Sequence, residues 1–408
     1  MASCRFCNQE LRNKILDLGS SPLANSNLDK ESMQRMEPFY PLTVYQCSQC
    51  SLVQLESFEA PEDIFSDYVY FSSYSDSWVE HARKYVEETI TKRSLDSNSQ
   101  VVEIASNDGY LLQHFKKFGI PVHGVEPAEN VAEFATAKDI PTTTLFFGID
   151  TAEKLVSMNL KADIVIGNNV LAHVPDINDF VRGIKLLLKD KGLVNIEFPH
   201  LYELVKNCQF DTIYHEHFSY FSLASVSTIF DKHGLTVYDA DQLETHGGSL
   251  RIYATHSDQL PARSEKYCDI IEIENSFGLA DGTAYPKFRD SVINTKNKLV
   301  KYLIEQKELG NTVVGYGAPA KGNTLLNYCG IRSDLLEYTV DKNPYKQGLC
   351  LPGTRIPIYP PEKIYETKPD IVLILPWNLE SEVIQQMKDI REWGAKFAVP
   401  IPEIRVIN

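Results

Sequence analysis

Apolar and polar positions change period several times along the chain, and each change marks an element. Trp78, Ala82, Tyr85, Val86 and Ile90 recur at helical spacing, which predicts an amphipathic helix with one buried stripe. The pattern then becomes continuous. Val101-Val-Glu-Ile-Ala105 is a short apolar run closed by the turn Ser106-Asn-Asp-Gly109, which predicts a buried strand, a crevice at its carboxyl end and a helix beginning near Tyr110. Val122-His-Gly-Val-Glu126, Asp163-Ile-Val-Ile-Gly167 and Gly192-Leu-Val-Asn-Ile-Glu-Phe198 fit the same sheet, and their alternation with helical stretches predicts a doubly wound parallel arrangement. A long amphipathic helix follows over about 288–309. The alternation then restarts with Thr312-Val-Val-Gly-Tyr-Gly317, Tyr338-Thr-Val-Asp341 and Ile371-Val-Leu-Ile-Leu375, a second Rossmann-like α/β unit.

At 408 residues the chain exceeds one ordinary core. Two or three packed domains are expected, taken as residues 1–65, 66–256 and 257–408. With 43% hydrophobic and 23% charged residues it reads as folded throughout, without a stretch pure enough to span a bilayer. No apolar signal segment follows the first residues, so a cytoplasmic protein with no membrane partner is expected, monomeric by default. A net charge of −15 argues against a nucleic-acid partner. It leaves room for one pyrophosphate held by local Arg, Lys and backbone N–H groups.

Of eight cysteines, four form two knuckles, Cys4-Arg-Phe-Cys7 and Cys47-Ser-Gln-Cys50. Two C-x-x-C pairs present four thiolates to a tetrahedral zinc and leave no position for a substrate water, so the expected Zn²⁺ is structural. The strand-like Tyr40-Pro-Leu-Thr-Val-Tyr-Gln46 leading into the second pair suits a zinc ribbon with an insertion.

The turn after the first central strand bears on the cofactor. Glu126 ends the next strand about twenty residues on, where a carboxylate can accept ribose hydroxyls of either NAD or S-adenosylmethionine. A dinucleotide asks for several glycines at the pyrophosphate, whereas Ala105-Ser-Asn-Asp-Gly109 keeps one and adds polar side chains. Asn107, Asp108 and backbone groups suit a zwitterionic amino-acid end, which favours S-adenosylmethionine. Phe146-Phe-Gly148 is expected to flank the adenine.

Several segments together resemble the nucleotide-deoxysugar C-methyltransferases, the sugar 3-C-methyltransferases of the mycarose and tetronitrose type. They are the paired cysteines, Val102-Glu-Ile-Ala-Ser-Asn-Asp-Gly109, Val125-Glu-Pro127, Asn168-Asn-Val-Leu-Ala-His173, Tyr214-His-Glu-His-Phe-Ser-Tyr220 and Thr245-His-Gly-Gly-Ser-Leu-Arg251. The resemblance spans nearly the whole chain. It implies an α/β protein with an N-terminal zinc-binding module, a central class I S-adenosylmethionine-dependent methyltransferase domain of Rossmann-like fold, and a second Rossmann-like domain that helps hold a nucleotide-sugar. The implied substrate is a 4-keto-6-deoxy sugar on thymidine or guanosine diphosphate, methylated at C3 through an enolate.

By that resemblance His217 is the base, Tyr214 and Glu216 line the sugar site, His173 approaches the keto oxygen and Tyr68 gives a second enolate contact. Glu103, Ala105, Ser106, Asn107, Gly109, Glu126, Pro127, Phe146, Asn168 and Asn169 are assigned to the cofactor, and Tyr70, Ser73, His246 and Arg251 to the substrate. Lys321, after the glycine turn of the second unit, is assigned to the substrate phosphates because a strand–turn–helix junction is a natural anion site. The competing readings are an NAD-dependent nucleotide-sugar oxidoreductase using the second unit, and a non-catalytic zinc-ribbon interaction protein.

Overall fold

The structure, a computed structural model, describes residues 2–56, 58 and 71–408. Tyr68 and Tyr70 lie outside the described residues. In chain order the first strands are β1 (Asn13–Ser21), β2 (Tyr40–Gln46) and β3 (Val53–Leu55). The central strands are β4 (Val101–Ile104), β5 (Val122–Val125), β6 (Thr142–Thr143), β7 (Ala162–Asn168), β8 (Leu188–Pro199), β9 (Ser219–Tyr220), β10 (Leu235–Leu243) and β11 (Ser249–His256). The last are β12 (Val313–Tyr316), β13 (Thr339–Val340), β14 (Ile358–Tyr359), β15 (Ile371–Ile374), β16 (Lys396–Val399) and β17 (Arg405–Ile407).

Among the described residues they form three sheets. The central one runs β10-β11-β8-β7-β4-β5-β6. The four strands expected from the sequence, β4, β5, β7 and β8, run parallel, and β11 adds a strand antiparallel to both β8 and β10. The sharp Thr245–Gly247 turn between β10 and β11 is too short for a parallel crossover. The helix expected near Tyr110 begins at Leu112, because residues 107–111 complete a tight turn.

The C-terminal sheet runs β14-β13-β12-β15-β16-β17, parallel apart from its last strand. The long helix expected before it spans Tyr285–Glu308. Helix starts follow capping chemistry. The Asp76–Arg93 helix opens on Ser75, whose side chain accepts from the Trp78 N–H, and the Ile177–Leu187 helix opens on Asp176.

The N-terminal sheet runs β1-β2-β3-β9. Its fourth strand is borrowed: Val53 pairs with Tyr220 and Gln54 with Ser219, directly after Tyr214–His217. Packing is shared as well. Cys4, Cys47 and Leu52 lie in one apolar cluster with Val165, Ile177 and Phe198, while Leu16, Leu42 and Val44 join Phe288, Leu299 and Leu325 in another. Phe198 of β8 and Phe221 meet edge to face at 5.4 Å, both fully buried, and removing such a ring typically costs about 3–5 kcal/mol. No helix among the described residues is long and apolar enough to cross a membrane.

Candidate active site and zinc centre

Both parallel sheets reverse their winding direction beside their first strand, and both crevices open into one cavity of about 1670 Å³. On the central side the walls include Ala105 and Asn107 after β4, and Asn168 and Asn169 at the end of β7. On the C-terminal side they are the residues after β12 and β15, including Pro319, Lys321, Pro376, Trp377 and Asn378. His173, Tyr214, Glu216, His217 and Asn25 line the cavity as well.

The turn after β4 is held in an unusual conformation. Ala105 and Asn107 have φ of 56° and 50°, a left-handed geometry that side-chain-bearing residues adopt only when their surroundings fix it. Here the Asn107 N–H donates to the Glu126 carboxylate at 2.9 Å, and the Asn107 side-chain oxygen accepts from Ser72 N–H at 2.8 Å. Gly109, at φ 76°, is required by packing, since a Cβ there would lie 2.4 Å from Ile140. Glu126 also accepts from Ala128 N–H at 3.0 Å, and burial raises its pKa. Pro127, Leu145 and Phe146 continue this wall, so a carboxylate for ribose hydroxyls lies next to an apolar slot for a flat ring.

At the other end the histidines converge. The His173 and His217 rings are 4.7 Å apart, and the Tyr214 ring lies 4.0 Å from His217. Each histidine's Nδ1 faces a carbonyl, Glu216 O at 2.9 Å for His173 and Thr212 O at 2.8 Å for His217. A carbonyl only accepts, so Nδ1 carries the proton in both and Nε2 keeps the basic lone pair. Burial holds both pKa values down, His173 to about 4 and His217 well below 6.5, where the neighbouring His173 adds to the effect. Glu216 accepts from Asn25 Nδ2 at 2.8 and 2.9 Å, and burial pushes its carboxyl up to about 7.

His246 also reaches the cavity. Its Nε2 accepts from Asn169 Nδ2 at 3.3 Å, and its ring packs edge-on against Trp78 at 4.8 Å. Lys321 Nζ donates to Asn378 Oδ1 at 2.7 Å and stands 4.7 Å from the Trp377 ring, buried enough to lower its pKa.

Five residues assigned from the sequence stand off the cavity wall. Arg251 lies in a buried ion pair with Glu197 at 2.7 Å and over the Tyr85 ring, because a carboxylate with no access to water claims the nearest guanidinium. Burial alone would raise the Glu197 pKa, but His81 and Arg251 together hold it at about 2. The Ser73 hydroxyl accepts from Lys138. Glu103 is wholly buried, its pKa raised well above the usual range by burial and by the nearby Asp108 and Glu126. Ser106 and Gly109 shape the turn beneath the wall. Asn25 and Trp377 were not singled out from the sequence, although Trp377 follows the carboxyl end of β15, where active-site residues of open sheets collect.

The four paired cysteines come together, with ligand sulfurs all within 4.8 Å of one another. The Cys4–Cys50, Cys7–Cys47 and Cys7–Cys50 sulfur separations are 3.6, 3.5 and 3.7 Å. A tetrahedron with Zn–S bonds of about 2.3 Å has edges of about 3.8 Å, so the set fits zinc and is far too open for disulfides. Gln54 Nε2 donates to Cys4 Sγ at 3.2 Å and the Gln49 N–H to Cys47 Sγ at 3.4 Å, the kind of support thiolate ligands need.

Comparison with known proteins agrees with this architecture. Residues 4–65 match a zinc binding domain model, 78–240 a methyltransferase domain model and 244–402 a C-methyltransferase C-terminal domain model. C-methyltransferase NovU of Streptomyces niveus is 37% identical over 405 residues, covering 99% of this chain and 96% of that protein. A ubiquinone biosynthesis O-methyltransferase of Bartonella tribocorum is 29% identical over 100 residues, 24% of this chain and 40% of its own. Among solved structures, the magnesium protoporphyrin IX methyltransferase of Synechocystis PCC 6803 with bound S-adenosylmethionine covers 50% of this chain and 100% of its own at 15% identity and a TM-score of 0.36. With the four-cysteine cluster in place and the full-length relative matched from end to end, the chain belongs to the S-adenosylmethionine-dependent C-methyltransferases.

Proposed function

We propose that this C-methyltransferase acts on C3 of a nucleotide-linked 4-keto-6-deoxy sugar. The observation that carries the reading is the pair of histidines at 4.7 Å, beside Tyr214, in a cavity that Glu126 and Lys321 also line. An unactivated sugar C–H cannot attack a sulfonium methyl, so a ketone next to the acceptor carbon is needed. His217 Nε2 takes the C3 proton, the electron pair moves onto the C4 oxygen, and the Tyr214 hydroxyl donates to the enolate, with the His173 ring packed beside the base. S-adenosylmethionine supplies an electrophilic methyl. C3 forms the new C–C bond as the S–CH₃ bond breaks, and the proton leaves His217 for solvent.

Asn107, Glu126 and Asn169 are the cofactor contacts in this reading, with Phe146 against the adenine. The half-buried ammonium of Lys321, beside the Trp377 ring, suits a diphosphate. Family membership leaves the oxidoreductase and non-catalytic readings without a role. Incubating the protein and methyl donor with a panel of thymidine- and guanosine-diphosphate 4-keto-6-deoxy sugars should give one product heavier by a methylene group. Mass spectra unchanged across the whole panel would contradict the substrate class.

Glu126→Ala is expected to weaken S-adenosylmethionine binding by about 1.5–3 kcal/mol, the worth of charge-assisted hydrogen bonds, while the fold persists. Titration calorimetry with unchanged affinity would show that the cofactor lies elsewhere.

A further inference from the structure

The zinc knuckle does more than close the N-terminal module. Arg5, between Cys4 and Cys7, sends its guanidinium into the join between the two histidine-bearing segments. Its Nη1 donates to Pro175 O at 3.1 Å, two residues beyond His173. Its Nη2 donates to Leu55 O at 2.6 Å, and the guanidinium lies 5.2 Å from the centre of the Phe218 ring, next to His217. Leu55 N–H in turn donates to Phe218 O at 3.0 Å. The main chain of Arg5 is fixed too: its N–H donates to Gln54 Oε1 at 2.9 Å, and Asn178 Nδ2 donates to its carbonyl at 3.1 Å. Gln54 is the residue that also donates to Cys4 Sγ.

We propose that Arg5 is a positioning residue for methyl transfer, linking the zinc knuckle to the segments that set the His173–His217 geometry. The proposal rests on the reading that these histidines carry the proton chemistry. A planar fork suits the task because it can bond two carbonyls from different segments while its flat face covers a ring, which an ammonium group cannot do together. Arg5 adds a bridge from the knuckle to both segments bearing the histidines, which also meet through side-chain packing and the His173 Nδ1–Glu216 O hydrogen bond, beside the short β3–β9 pairing. Proton transfer is sensitive to such shifts, since misplacement by about 1 Å can cost up to about 10²-fold in rate.

The test uses full-length, zinc-loaded Arg5→Ala and Arg5→Lys. Zinc content and KM for S-adenosylmethionine should match wild type, while kcat falls about 10- to 100-fold in Arg5→Ala and recovers only in part in Arg5→Lys. In the absence of substrate, the ring resonances of His173 and His217 should shift in both variants, observed with carbon-13-labelled histidine and assigned through His173→Asn and His217→Asn. Should Arg5→Ala fail to fold, Arg5→Lys decides by the same measures. Wild-type kcat with unshifted ring signals in a folded, zinc-loaded Arg5 variant overturns the proposal when His217→Asn is crippled. If His217→Asn itself turns over at the wild-type rate, the reading of the histidines fails, and the proposal with it.

Discussion

His217→Asn is expected to lower turnover by about 10²- to 10⁴-fold, the usual contribution of a general base, while binding of cofactor and nucleotide-sugar stays nearly intact. The reason lies in how the ring is held. Nδ1–H is committed to the Thr212 carbonyl at 2.8 Å, so the remaining nitrogen is the one that can accept a proton. Burial and the adjacent His173 keep the imidazole neutral well below its ordinary pKa of 6.5. The sign follows: the base is competent at neutral pH, protonation disables it as pH falls, and the acid limb of kcat/KM that it causes lies below 6.5. His173→Asn should also slow the reaction, by removing the ring packed 4.7 Å from His217. In deuterated water without methyl donor, wild type and the His173 variant should exchange the C3 hydrogen and the His217 variant should not. Exchange at the wild-type rate in His217→Asn would make Tyr214 the leading candidate for the base.

Loss of the metal should be as severe, but for stability. About one zinc per chain is expected in protein purified without chelator, because the four thiolates leave no other coordination position. Structural zinc contributes on the order of 10–16 kcal/mol in small finger domains, comparable to or larger than the roughly 5–15 kcal/mol that holds a typical domain folded. Cys4 and Cys47 are fully buried in the cluster that also contains Val165 and Phe198, so the damage should spread beyond the ribbon. Strong chelation, or Cys47→Ser, should therefore produce a large fall in Tm and loss of the central cavity. Elemental analysis finding less than about half an equivalent of zinc in protein with an unaltered Tm would argue against a structural metal.

Elements whose signal is local were legible in the sequence. Val101–Ile104, apart from Glu103, and Ile371–Ile374 are runs of buried β-branched and aliphatic residues, and the Asp76–Arg93 helix carries its stripe behind a serine cap. The cysteine knuckles were legible because metal geometry fixes their spacing. Contacts made across the chain were not. The Asn25–Glu216 hydrogen bonds join residues 191 positions apart, and a strand as short as Ser219–Tyr220 has no periodicity to reveal its pairing with Val53–Leu55. Arg251 shows the same limit: its motif gave no sign of the ion pair it makes with Glu197 on the adjacent strand.

The central claim is transfer of a methyl group to carbon on a keto-sugar, and the bond itself can be observed. Protein supplied with S-adenosylmethionine labelled with carbon-13 in its methyl group and with a nucleotide-linked 4-keto-6-deoxy sugar should yield a product whose labelled methyl is coupled through one bond to C3 of the sugar. A label found on oxygen, or one that stays on the donor with every such sugar, would contradict the account.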